Sequence, residues 1–131
     1  MYIIRKEFSF SASHQLSQLP EEHPCTRIHG HNYIVVVELK SVNLDSYGFV
    51  EDYRSLDWIK KYIDETLDHR HLNDVFAPLW PTAEIMAREL FNRFKEKFPG
   101  LTPQLAAVEV HETPKTSARY EPDYDTVIKV K

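Results

Sequence analysis

The sequence predicts an α+β fold, a four-stranded antiparallel sheet with two helices on one face in the order ββααββ. Three observations carry this prediction. Near the start, Phe8, Phe10, Ala12 and His14 alternate with polar residues, the period of a strand with one buried face. In the middle, Leu56, Ile59, Ile63 and Leu67 recur at three- and four-residue steps, the period of an amphipathic helix. Towards the end the period returns to two at Ala106, Val108, Val110 and Glu112. Strands gathered at both ends with helices between them fit α+β better than a wound parallel sheet.

The first strand runs from Phe8 to His14, with Ser9, Ser11 and Ser13 on its other face. Gln15 to Arg27 is polar, contains Pro20 and Pro24, and reads as a loop. His31 to Val42 is the second strand, rich in β-branched residues, and Tyr33, Val35, Val37 and Leu39 share the parity of His29 and His31. Asp45 to Gly48 is a turn, and Asp52 to Leu67 is the first helix. Asp68 to Pro81 is irregular. Thr82 is an N-cap, and Glu84 follows in the first turn, where a negative charge suits the helix dipole. The second helix carries Ile85, Met86, Leu90, Phe94 and Phe98 and stops at Pro99-Gly100. Leu105 to Thr113 is the third strand, and Asp125 to Val130 the fourth, with Ser117 to Tyr120 leading into it. One helical layer leaves two sheet edges and one face uncovered, which a homo-oligomer would cover.

The length of 131 residues suits a single domain, residues 1–131, with one core. A formal net charge of -4 argues against a general nucleic-acid binder. No apolar run approaches the ~20 residues of a membrane span. The charged, alternating start is not a signal peptide. One cysteine excludes an internal disulfide framework and a multi-cysteine zinc site. The expected location is the cytoplasm.

Seven histidines beside one thiol remain to be assigned. His29-Gly30-His31 is the sharpest local signal. In a strand these two imidazoles point to one face and can reach one metal. His14, on the apolar face of the first strand, is phased to supply a third nitrogen. Three imidazoles leave a fourth position open, the pattern of a catalytic zinc site, although iron, copper and nickel also suit such ligands. Cys25, four residues before His29, is open to three readings: a small buried residue, a ligand, or a reactive thiol with its pKa lowered by Arg27 and a metal. Asp68 beside His69 can orient the imidazole, or the pair can simply end a helix. Glu112 shares the parity of Val108 and Val110. A carboxylate there is costly to bury unless it binds something, such as two adjacent N–H donors. His23, His71 and His111 are expected at the surface.

Together these blocks resemble the 6-pyruvoyltetrahydropterin synthase family and its bacterial 6-carboxytetrahydropterin synthase branch. The likeness spans nearly the whole chain: Phe8 to His14, Cys25 to Tyr33, Gly48 to Tyr53, Leu67 to Asp74, Pro81 to Glu84, and Val110 to Thr113. The resemblance implies a tunnelling fold, in which sheets of several subunits join into an oligomeric barrel with active sites between subunits. It implies zinc held by His14, His29 and His31, catalysis by Cys25 with Asp68 and His69, and a pterin ring anchored by Glu112, with Thr82, Ala83 and Glu84 beside it. The implied partners are a pterin triphosphate substrate and further copies of the chain, in a trimer-based hexamer. The implied reaction takes 7,8-dihydroneopterin triphosphate to 6-carboxytetrahydropterin, with loss of acetaldehyde and triphosphate, in 7-deazaguanine and queuosine biosynthesis. The pyruvoyl branch, which eliminates triphosphate for biopterin, is the alternative. Cys25 speaks against a third branch, which carries glutamate in place of the thiol. An inactive pterin- or metal-binding module and an unrelated zinc hydrolase are the readings outside these. Arg27, Arg70, Lys115 and Arg119 are the candidates to meet the triphosphate.

Overall fold

The protein is described by a computed structural model over residues 1–123. Four strands, β1 (Tyr2–His14), β2 (His29–Ser41), β3 (Gln104–Thr113) and β4 (Thr116–Tyr120), form one sheet in the order β1-β2-β3-β4. Every neighbouring pair is antiparallel. Between β2 and β3 lie α1 (Asp57–Thr66), the single turn α2 (Leu72–Val75) and α3 (Ala83–Phe94).

The α+β architecture matches the sequence pattern, but β1 starts earlier, at Tyr2, β2 starts at His29, and three further elements differ. The last strand is Thr116–Tyr120, whereas the expected strand at 125–130 lies outside the described residues. The stretch expected to be irregular contains α2. Leu72 and Phe76, four residues apart, are both buried, and that one apolar pair is too short to register as a period. The first helix begins later than Asp52. The Asp52 carboxylate accepts from Arg54 N–H and caps a 3-10 turn, Tyr53–Leu56, which leads into α1.

The β1–β2 register sets everything near the site. It pairs Phe8 with Val35, Phe10 with Tyr33, Ala12 with His31 and His14 with His29. β3 then brings Val110 opposite Val35 and Val108 opposite Val37. This face packs on Leu56, Ile59, Ile63, Met86, Leu90 and Phe94 from the helices, all essentially buried. Each such side chain contributes about 1.5–3 kcal/mol through burial. Trp58 and Tyr62 of α1 meet the Phe94 ring edge-on at 5.5 and 5.4 Å.

The opposite face carries charge. Arg5 pairs with Glu38 and Arg119 with Glu109 across neighbouring strands. Arg119 also reaches diagonally to Glu38, at 2.8 Å. Glu38 and Glu109 are only 4% and 9% exposed, so these guanidinium groups compensate carboxylates that would otherwise be buried alone. Burial by itself would raise the pKa of Glu109, but hydrogen bonds from His111 and Arg119 hold it below its usual value. Among the described residues no helix is long and apolar enough to cross a membrane.

Ile59, fully buried between α1 and the sheet, tests the packing. Ile59→Ala is expected to cost about 2–5 kcal/mol in urea unfolding. A loss under about 1 kcal/mol would show that the helical layer does not rest on this face.

Candidate functional site

Where β1 ends and β2 begins, three imidazoles converge. His14, His29 and His31 each offer a nitrogen, and these atoms lie within 4.8 Å of one another. Parity makes this possible: His29 and His31 project to the face that carries His14. Gly30 between them sits close to its neighbour strand, and a Cβ there would come 3.3 Å from the Ala12 carbonyl oxygen.

Two hydrogen bonds fix the tautomers. His14 Nδ1 donates to the Pro81 carbonyl at 2.9 Å, and His29 Nδ1 donates to the Arg27 carbonyl at 2.8 Å. A carbonyl only accepts, so each Nδ1 carries the hydrogen and each neutral ring presents a lone pair at Nε2. Yet the two Nε2 atoms face each other at 2.9 Å. Neutral rings cannot satisfy that contact; a proton or a metal cation between them can. Burial lowers the pKa of His14 and of His31, which disfavours the proton. The donor set therefore fits a metal ion, and carbonyls that orient the far side of each ring are the usual outer support of such a site.

The expected pair Asp68–His69 forms on the outer edge of β1. His69 Nδ1 lies 2.9 Å from an Asp68 oxygen. The other Asp68 oxygen accepts from Ser11 N–H at 2.9 Å, and this bond, with the one to His69, lowers the Asp68 pKa. His69 holds a left-handed backbone, φ 58°, a conformation that costs a non-glycine residue about 1–3 kcal/mol. Contacts with β1 hold it there. His69 N–H donates to Ser11 O at 2.6 Å, and Ser13 N–H donates to Arg70 O at 3.1 Å. Asn73 closes the far end, accepting from Gln15 N–H at 2.8 Å and donating to Gln15 O at 2.7 Å. His31, His69 and Arg70 share an open cavity of about 630 Å³.

Glu112 is half-buried in a second cavity of about 450 Å³, with Ala83 and Glu84 on the same wall. Its charge acts on both His14 and His31. Thr82 caps α3, its hydroxyl accepting from Ile85 N–H at 3.2 Å. Cys25 lies half-buried in a 3-10 turn, Pro24–Thr26, and lines neither cavity.

All three histidines expected at the surface have partners: His23 Nδ1 accepts from Cys25 N–H at 3.1 Å and is exposed. His71 Nδ1 meets Ser13 Oγ at 3.0 Å, and His111 Nε2 meets Glu109 at 3.0 Å. The sequence assigns no role to Asn73 or Tyr33. The signal for Tyr33 was its parity with His31. Nothing local marked Asn73, whose partner is backbone 58 residues away. Arg119, a candidate for the triphosphate, is already bonded to Glu38 and Glu109.

If the triad is a metal site, His31→Ala should lose zinc on dialysis against a chelator, while Asp68→Asn keeps it. Elemental analysis decides, and full retention by His31→Ala removes it from the ligand set.

Comparison with known proteins identifies the family. A model of the family described as 6-pyruvoyl tetrahydropterin synthase matches residues 3–123. The chain is 37% identical over 126 residues to a 6-carboxy-5,6,7,8-tetrahydropterin synthase of Synechocystis sp., covering 92% of this chain and 93% of that one. A synthase of the same name from Bacillus subtilis is 30% identical over 129 residues, covering 91% and 84%. Among solved structures, the 6-pyruvoyl tetrahydropterin synthase of Caenorhabditis elegans superposes with a TM-score of 0.80 at 27% identity, covering 93% of this chain and 96% of that one. With fold and sequence in accord, the chain belongs to the 6-pyruvoyl tetrahydropterin synthase family.

Proposed function

We propose that the protein is a zinc-dependent 6-carboxy-5,6,7,8-tetrahydropterin synthase, a single domain over residues 1–131 acting in 7-deazaguanine and queuosine biosynthesis. It converts 7,8-dihydroneopterin triphosphate and water to 6-carboxytetrahydropterin, acetaldehyde and triphosphate. The observation that carries this reading is the imidazole triad beside Glu112 in a member of this family.

His14, His29 and His31 hold the zinc, which when bound supplies Lewis acidity to oxygens set against it. Glu112 accepts the paired N–H groups of the pterin ring and so orients the side chain towards the triad. Ala83 and Glu84 complete that wall, and Thr82 fixes the helix start behind them. Asp68 holds His69 through Nδ1, leaving Nε2 as the atom that takes or gives a proton. Cys25, as thiolate, moves the proton on the other side of the substrate chain. Arg70, in the cavity of His31 and His69, is the cation we assign to the triphosphate.

We assign the working form to a homo-oligomer, a trimer-based hexamer in the cytoplasm whose sheets join into a barrel. The support is physical. Among the described residues, β1 and β4 are edge strands, and the charged face of the sheet has no helix on it. His69, with its side chain 82% exposed, would act at a neighbouring copy's site.

Incubation with 7,8-dihydroneopterin triphosphate, followed by mass spectrometry, tests the reading. The expected product is 6-carboxytetrahydropterin with acetaldehyde. A pyruvoyl product reassigns the chain to the other branch, and unconverted substrate removes the activity. Cys25→Ala is expected to keep zinc and lose about 10²–10⁴-fold in kcat; unchanged kcat removes the thiol from the mechanism.

A further inference from the structure

Among the described residues, one buried side-chain polar atom has no hydrogen-bond partner: the Tyr33 hydroxyl. Tyr33 is 0% exposed. Its ring stacks on Phe10 with centroids 5.0 Å apart and meets the His31 and His14 rings edge-on at 5.4 and 6.0 Å. The register pairs Ile34 with His111 and Val35 with Val110, so Tyr33 and Glu112 are the next residues along on neighbouring strands. Side chains so placed are within reach of each other, and the Glu112 charge acts on the phenol.

A buried hydroxyl without a partner destabilises a fold, and phenylalanine would fill the same space without that cost. The hydroxyl therefore points to a state in which it is satisfied. We infer that Tyr33 is a positioning residue for Glu112, its O–H donating to the Glu112 carboxylate once a pterin occupies that carboxylate. The inference rests on the pterin reading above. Without ligand, Glu112 is half-buried and solvent competes for it. An ionised carboxylate accepts about four hydrogen bonds. A pterin edge uses two and displaces the water that filled the others. Tyr33 supplies one of the remainder and fixes the rotamer that receives the ring.

The test compares wild type, Tyr33→Phe, Glu112→Gln and the double variant. The probe is 7,8-dihydroneopterin, titrated by fluorescence into zinc-loaded protein; melting of each metal-free protein is followed separately. Metal-free Tyr33→Phe is expected to melt no lower than wild type and, when zinc-loaded, to bind the pterin about ten-fold more weakly. In the Glu112→Gln background the same change should add nothing. Wild-type affinity in Tyr33→Phe overturns the inference and leaves the pterin reading standing. So does an additive loss in the double variant, which would place the hydroxyl's partner elsewhere. A lower melting temperature for metal-free Tyr33→Phe also overturns it, because the hydroxyl would then have a partner in the free fold. Wild-type protein that binds no pterin overturns both.

Discussion

The pairing of β1 with β2 is the constraint on which the site depends. Its unbroken register runs from Tyr2 opposite Ser41 to His14 opposite His29. Side chains alternate along a strand, so a slip of one residue would send His14 to the face away from His29 and His31. The apolar pattern prevents the slip. Phe8 and Phe10 must face the helices together with Tyr33 and Val35, and the slip would turn out both phenylalanines, which are at most 7% exposed. The core thus fixes the ligand geometry, and the imidazoles only have to stand in the rows it provides.

β1 does a second job with its edge. The segment from Asp68 to Asn73 lies along that edge, and side chains complete the ladder where backbone does not reach. Asp68 supplies an acceptor to Ser11, and Asn73 supplies both a donor and an acceptor to Gln15. These bonds offset the left-handed conformation of His69. One strand therefore carries His14 of the imidazole triad on its face and the carboxylate–imidazole pair on its edge. A disturbance of β1 reaches both.

Much of this was legible in the sequence because it depends on period and parity. The phasing of His14 with Phe10 and of His29 with His31 survives intact in the sheet, and Glu112 lies two residues beyond Val110 on the same strand. Thr82 as the cap of α3 was legible for a local reason: its partner is three residues away. Contacts between distant segments were not legible. Asn73 grips backbone amides, which carry no sequence identity, and Ser13 with His71 looked like two ordinary polar residues. The charge lattice was hidden for another reason. Glu38 sits between Val37 and Leu39 in a mostly apolar run of β2, and only the sheet order reveals that Arg5 and Arg119 meet it.

The features unfavourable to the free fold cluster around one end of the sheet. Two Nε2 lone pairs face each other, the Tyr33 hydroxyl lacks a partner, and His69 is held in a strained backbone. Elsewhere on the sheet, buried polar groups find partners: Glu38 and Glu109 meet arginines, and Ser41 is bonded to its own turn. Chance defects would fall anywhere in a fold. Defects confined to the place where a cation and a pterin would sit are what selection for binding leaves, since a ligand that relieves them binds the folded state alone and stabilises it by mass action. On the proposed reading, a cation would remove the repulsion between His14 and His29, and the ring would close the hydrogen bonding around Glu112. The strain these groups carry by themselves is in that sense the counterpart of affinity, and the same rows of β1, β2 and β3 set both.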